Sequence, residues 1–222
     1  MTVGNGIRVL GAAALLAGAS VSGPVGVGFV PSARAEGCPD SQVVFARGSG
    51  QPTGLGDVGQ AFVDSLREQL PGRSIDDYAV NYPASHDYRN SSLEGEKDAV
   101  AHIQTMVANC PKTKLVMAGY SQGAMVMEMS SNSLPPQVAD HVAAVALFGA
   151  PVGPFSSSLV GGSLPVLAPA YRAKAIDLCI PQDIYCTESG SVIPHLQYIP
   201  TGMTDQAATF VAGKLQQPAA GS

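Results

Sequence analysis

The feature that most constrains this chain is a corner. Lys114-Leu115-Val116-Met117-Ala118 is an apolar run of strand length, and Ala124 to Met129 is a run of good helix formers. Only Gly119-Tyr120-Ser121-Gln122-Gly123 separates them. Five residues leave no room for a relaxed loop, so the chain must pass from strand to helix in one tight turn. Such a turn is strained, and its helix returns close against the strand it has left, which is why a glycine is useful on each side of the serine. Ser121 then stands at the apex, and the N–H of Gln122 behind it is placed to donate. The pentapeptide alone is weak in a chain with 25 glycines; the strand before it and the helix after it give it weight.

The rest of the chain repeats this alternation. Gln42 to Ala46 reads as a strand entering the turn Arg47-Gly48-Ser49-Gly50. Asp57 to Leu70 carries apolar residues at helical spacing and ends at Pro71-Gly72. Ile75 to Tyr82 reads as a strand stopped by Pro83. Leu93 to Cys110 reads as a helix, with Val100, Ile103 and Val107 on one face and Pro111 beyond its end. Val142 to Phe148 is a buried strand, Gly149 to Pro169 a Gly-, Pro- and Ser-rich loop, Ala173 to Cys179 a last strand and Thr204 to Leu215 a closing helix. Strands alternating with helices predict a mainly parallel central sheet covered on both faces, an α/β sandwich of three layers.

Residues 1–35 are expected to lie outside that fold. One early basic residue, Arg8, precedes a long small and apolar stretch that ends in Ala33-Arg34-Ala35, the layout of a secretory signal peptide. Glycines and prolines break the stretch, so no stable membrane span is expected once it is cleaved. Residues 36–222 then form one domain. The net charge of −5 for the whole chain argues against nucleic acid as a partner. All four cysteines, Cys38, Cys110, Cys179 and Cys186, fall in the mature part, and an even count in an exported chain predicts two disulfides. Three pairings are possible. The short span from Cys179 to Cys186 favours local closure, which leaves Cys38 with Cys110. The spacings contain no C-x2-C pair, so no metal site is expected.

A serine on a strand-to-helix corner is the nucleophile elbow of the α/β-hydrolases. The hydroxyl is a poor nucleophile until a histidine takes its proton and an acid fixes that histidine's tautomer, and in this fold the chain order is Ser, acid, His. Only His141 and His195 follow Ser121. His141 directly precedes an apolar strand and reads as structural. His195 lies in a late loop with Asp183 twelve residues before it. Asp177, Glu188 and Asp205 are rivals for the acid, but Asp183 sits inside the Cys179 to Cys186 span, where a disulfide would hold it still.

These pieces together resemble the cutinase family of serine esterases, in particular its actinobacterial cutinase-like members. The matching residues are Val44 to Ser49, Asn81-Tyr82-Pro83-Ala84, Gly119 to Ala124, the Cys179–Cys186 span around Asp183, and Pro194-His195-Leu196. The resemblance implies Ser121 as nucleophile, His195 as base and Asp183 as acid. It implies an oxyanion hole from Gln122 and Ser49, the pairs Cys38–Cys110 and Cys179–Cys186, and no metal or organic cofactor. Arg47 is read as one half of a structural ion pair. Tyr82, Ile184, Val192, Ile193 and Leu196 are the expected apolar contacts for substrate, and the apolar loop over 150–170 is a candidate flap. The implied protein is a secreted monomer, extracellular or associated with the cell wall, that hydrolyses short- to medium-chain lipid or polyester esters. Two alternatives share the sequence features. One is an acetylxylan esterase on the same fold, whose relatives carry more cysteines and a more polar mouth. The other is a non-catalytic secreted binding protein or antigen.

Overall fold

The computed structural model describes residues 37–217; the expected leader at 1–35 lies outside them. Five strands, β1 (Ser41–Ala46), β2 (Ile75–Ala79), β3 (Lys114–Tyr120), β4 (Val142–Phe148) and β5 (Ala175–Leu178), form one sheet in the order β2-β1-β3-β4-β5. Every pairing is parallel. The helices are α1 (Gly56–Gln69), α2 (Tyr88–Asn109), α3 (Gln122–Ser133), α4 (Gly153–Val160), α5 (Pro169–Arg172) and α6 (Met203–Gln216).

The strands are apolar on both sides because both sides are covered. Val43 and Phe45 of β1, Val116 and Ala118 of β3, and Ala144, Ala146 and Phe148 of β4 pack against α1 and α6. Their sequence neighbours Val44, Ala46, Leu115, Met117, Val145 and Leu147 point the other way, into α2 and α3. On the first face the rings of Phe45, Phe62 and Phe148 meet at 5.7–6.5 Å between centroids. The predicted three-layer sandwich is therefore present.

Several boundaries differ from the sequence reading, each for a local reason. β3 runs on through Gly119 and Tyr120 to the corner itself. β2 ends at Ala79, after which the segment to Pro83 is drawn towards Arg47. α2 begins at Tyr88 rather than Leu93, because Asp87 caps it by accepting from the N–H of Asn90, at 3.5 Å, ahead of any apolar periodicity. The stretch 149–169, read as loop, contains α4. Its glycines and prolines mask a two-turn helix in which Ser156 alone is fully buried. Both predicted disulfides, Cys38–Cys110 and Cys179–Cys186, are formed.

Sheet order fixes where a site can lie. From β1 the chain goes to β2 on one side, then crosses to β3 on the other. The loops leaving the carboxyl ends of β1 and β3 thus diverge, which opens a crevice at that end of the sheet. The turn holding Ser49 leaves β1, and the corner holding Ser121 leaves β3.

Candidate active site

Ser121 has φ 56° and ψ −119°, a backbone conformation that L residues rarely adopt and that costs of order 1–3 kcal/mol. The surrounding structure imposes it. The N–H of Ser121 donates to the carbonyl of Phe148 at 2.8 Å, and its own carbonyl accepts from Ala124 and Met125 to start α3. The flanking glycines are spatially obligatory: a Cβ on Gly119 would stand 2.3 Å from the Gly123 oxygen, and one on Gly123 1.9 Å from the Ala46 oxygen. Gln122 is the first residue of α3, so its N–H has no partner within the helix.

Asp183 and His195 form the second part. Asp183 is 0 % exposed, in the loop after β5 bracketed by Cys179–Cys186. Its Oδ2 lies 2.6 Å from Nδ1 of His195 and accepts from the hydroxyl of Tyr198 at 2.8 Å. Its Oδ1 accepts from the N–H of Tyr185 at 3.0 Å. A buried carboxylate survives only with such partners. The His195 ring is held between Tyr120 and Tyr185, with centroids at 5.0 and 4.2 Å, and Tyr120 donates to the His195 carbonyl at 2.6 Å. Nε2 of His195 is buried and has no hydrogen-bond partner among the described residues. Burial, followed by the Asp183 charge, pushes the phenols of Tyr198 and Tyr120 well above their ordinary range, so both remain protonated donors.

Ser49 is half-buried in a turn braced from several sides. Gly50 donates to the Ala84 carbonyl at 2.8 Å, and Gly48 donates to Oε1 of Gln51 at 3.0 Å. Among the described residues Arg47 forms no ion pair, contrary to expectation. Its guanidinium donates to the carbonyls of Tyr82 and Pro83, at 2.8 and 3.2 Å, and lies 5.2 Å from the Tyr82 ring centroid. Gln122 Nε2 donates to the carbonyls of Ser85 and Tyr88, at 3.2 and 3.3 Å, tying the same segment to the corner.

The expected substrate contacts divide. Tyr82 is 5 % exposed and belongs to the core, with its hydroxyl donating to the Arg47 carbonyl. This corrects its reading as a cleft residue: the bond that fixes the Arg47 turn keeps the ring inside. Ile184 is half-buried. Val192, Ile193 and Leu196 are exposed at 50 %, 67 % and 71 %, an apolar collar around His195. Tyr120 and Tyr198 were not singled out from sequence. Tyr120 lay in plain view inside the pentapeptide, whereas nothing in the sequence links Tyr198 to Asp183.

Fold and corner together define an α/β-hydrolase arrangement. A family model described as Cutinase matches residues 37–215. The chain belongs to the cutinase family, a family of carboxylic ester hydrolases. It is 54 % identical over 216 residues to "Carboxylesterase Culp1" of Mycobacterium tuberculosis, covering 97 % of this chain and 98 % of that protein. It is 47 % identical over 189 residues to "Phospholipase Culp4" of the same organism, covering 81 % and 80 %. Among solved structures it resembles Trichoderma reesei cutinase in complex with a phosphonate inhibitor, with TM-score 0.67 and 32 % identity over 81 % of this chain and 78 % of that one. It also resembles an acetylxylan esterase, with TM-score 0.66 and 25 % identity over 80 % and 99 %.

Proposed function

We propose that this protein is a secreted serine esterase that hydrolyses short- to medium-chain carboxylic esters of lipid or polyester type, with Ser121 as nucleophile, His195 as base and Asp183 as acid. The observation that carries this reading is the strained serine at the C-terminal end of β3, combined with a buried Asp183–His195 pair at the same end of the sheet. In the cycle, Nε2 of His195 takes the Ser121 proton as Oγ attacks the ester carbonyl. Nε2 and the Ser121 hydroxyl are not hydrogen-bonded without substrate, and catalytic contacts commonly close only when substrate binds. The N–H groups of Gln122 and Ser49 receive the oxyanion, and His195 returns its proton to the departing alcohol. Water repeats the sequence on the acyl-enzyme and frees the acid. Tyr198 and the N–H of Tyr185 hold the Asp183 carboxylate in place as His195 takes up the proton.

The collar of Val192, Ile193 and Leu196 favours a lipid or polyester surface over a sugar. The two disulfides fit an oxidising, extracellular setting. The test is hydrolysis of p-nitrophenyl esters from acetate to palmitate, with Ser121→Ala beside the parent. A peak at short to medium chains that disappears in the variant supports the reading. Strict preference for acetate would favour the carbohydrate deacetylase. A folded, inactive protein would favour the binding protein.

A further inference from the structure

Ser121 opens onto a cleft of only ≈ 20 Å³, walled by Tyr88, Pro151, Leu159 and Tyr185. That is about the space of a single water molecule, too little for an acyl chain of any length. Beside it lies a cavity of ≈ 420 Å³, bounded by α2, α3 and the segment that follows α4. Two side chains, Met125 and Val160, line both spaces.

We propose that this second cavity receives the distal part of the substrate's acyl chain, threaded from Ser121 between Met125 and Val160; the inference rests on the esterase reading. Two observations carry it. The cavity adjoins the nucleophile's cleft, with the side chains of Met125 and Val160 lining both, and its volume is within the usual range for small-molecule sites, ~300–1,000 Å³. Its walls suit a hydrocarbon: Leu93, Met129, Leu164 and Pro165 face it. The polar members of the lining are Arg89, Ser92 and Ser163, and the buried Ser92 hydroxyl has no hydrogen-bond partner among the described residues.

The neck is built to yield. Met125 is unbranched and adapts its shape easily. Val160 is the last residue of α4. That helix is anchored on its other side, where Val152 and the Ser156 hydroxyl donate to the Tyr185 carbonyl at 2.8 and 2.7 Å. Its free end is therefore the one beside the neck.

The chain contains no tryptophan, so Leu164→Trp introduces a single emitter inside the cavity. Attaching a decyl phosphonate to Ser121 of this variant shifts the emission to shorter wavelength, while an ethyl phosphonate leaves it where the unlabelled protein emits. Equal emission from the two adducts overturns the proposal. If neither reagent attaches, the esterase reading falls and the proposal falls with it. In a second variant, Val160→Trp, a bulky ring stands in the neck. The ratio of kcat/KM for p-nitrophenyl decanoate over butyrate then drops at least about tenfold, and an unchanged ratio overturns the proposal independently.

Discussion

At the scale of single residues, the site is held by groups that never meet substrate. Tyr198 donates to the same Asp183 oxygen that faces His195. A hydrogen bond to a charged group is worth about 1.5–3 kcal/mol, so Tyr198→Phe lowers kcat roughly tenfold or more. KM should change little, because the phenol lies behind the acid. Steady-state kinetics on the folded variant check this, and an unchanged kcat would remove Tyr198 from the machinery. Ser121 permits a complementary test. Its left-handed φ is relieved by glycine but not by alanine, so Ser121→Gly should unfold at higher urea than Ser121→Ala, by about 1 kcal/mol or more. Equal midpoints would mean that the corner stores no strain. Ser121, His195 and Asp183, the triad proposed above, were singled out in sequence because each sits in a local pattern: a corner, a Pro-His-Leu triplet, a disulfide-bracketed loop. Tyr198 was not, because its contact with Asp183 arises from the path of the intervening loop. Tyr82 was misplaced because an aromatic beside a proline looks the same in sequence whether it faces a cleft or the core.

At the scale of elements, long periodic segments were legible and short or capped ones were not. α1 and β4 announce themselves by spacing, whereas α4 hides among glycines and prolines, and the first turn of α2 has no apolar stripe. α3 also buries an acidic side chain. Glu128 is 6 % exposed in an otherwise apolar stretch, and its Oε2 has no hydrogen-bond partner among the described residues. Burial, and then the neighbouring Asp177, raise its pKa to about 8 from 4.5. The sign follows from linkage. Below pH 4.5 the carboxyl is protonated both folded and unfolded. As pH rises towards 8 only the unfolded chain gives up its proton, so the folded state loses stability across that window, by several kcal/mol at most. Glu128→Gln should flatten this slope and be the more stable protein at pH 8. Urea unfolding of both proteins at pH 5 and pH 8 decides it, and parallel pH dependence would show that Glu128 ionises normally.

For the whole molecule, the two disulfides divide their labour. Cys38–Cys110 closes a span of 72 residues and ties the start of the sheet to the end of α2, while Cys179–Cys186 closes a span of 7 around Asp183. In the chain-entropy view they contribute about 4.4 and about 2.5 kcal/mol. Replacing Cys38 and Cys110 with serine should cost more stability, yet leave specific activity in the folded fraction nearly intact. Replacing Cys179 and Cys186 should cost less stability and more activity, because the loop holding Asp183 is freed. Thermal unfolding and kcat measured on both double variants test the division, and the reverse ranking would refute it.

The strand order has a further consequence, in time rather than space. β1 is the first strand to be made, but both of its neighbours come later: β2 ends at residue 79 and β3 at residue 120. During synthesis Val43, Val44, Phe45 and Ala46 therefore wait with one edge open until β2 is made, and with the other open until residue 120 of 222. The cysteine that precedes them waits equally long for its partner at 110. The sheet around β1 therefore cannot be complete before residue 120, and until then one edge of an apolar strand is open to pairing with its like.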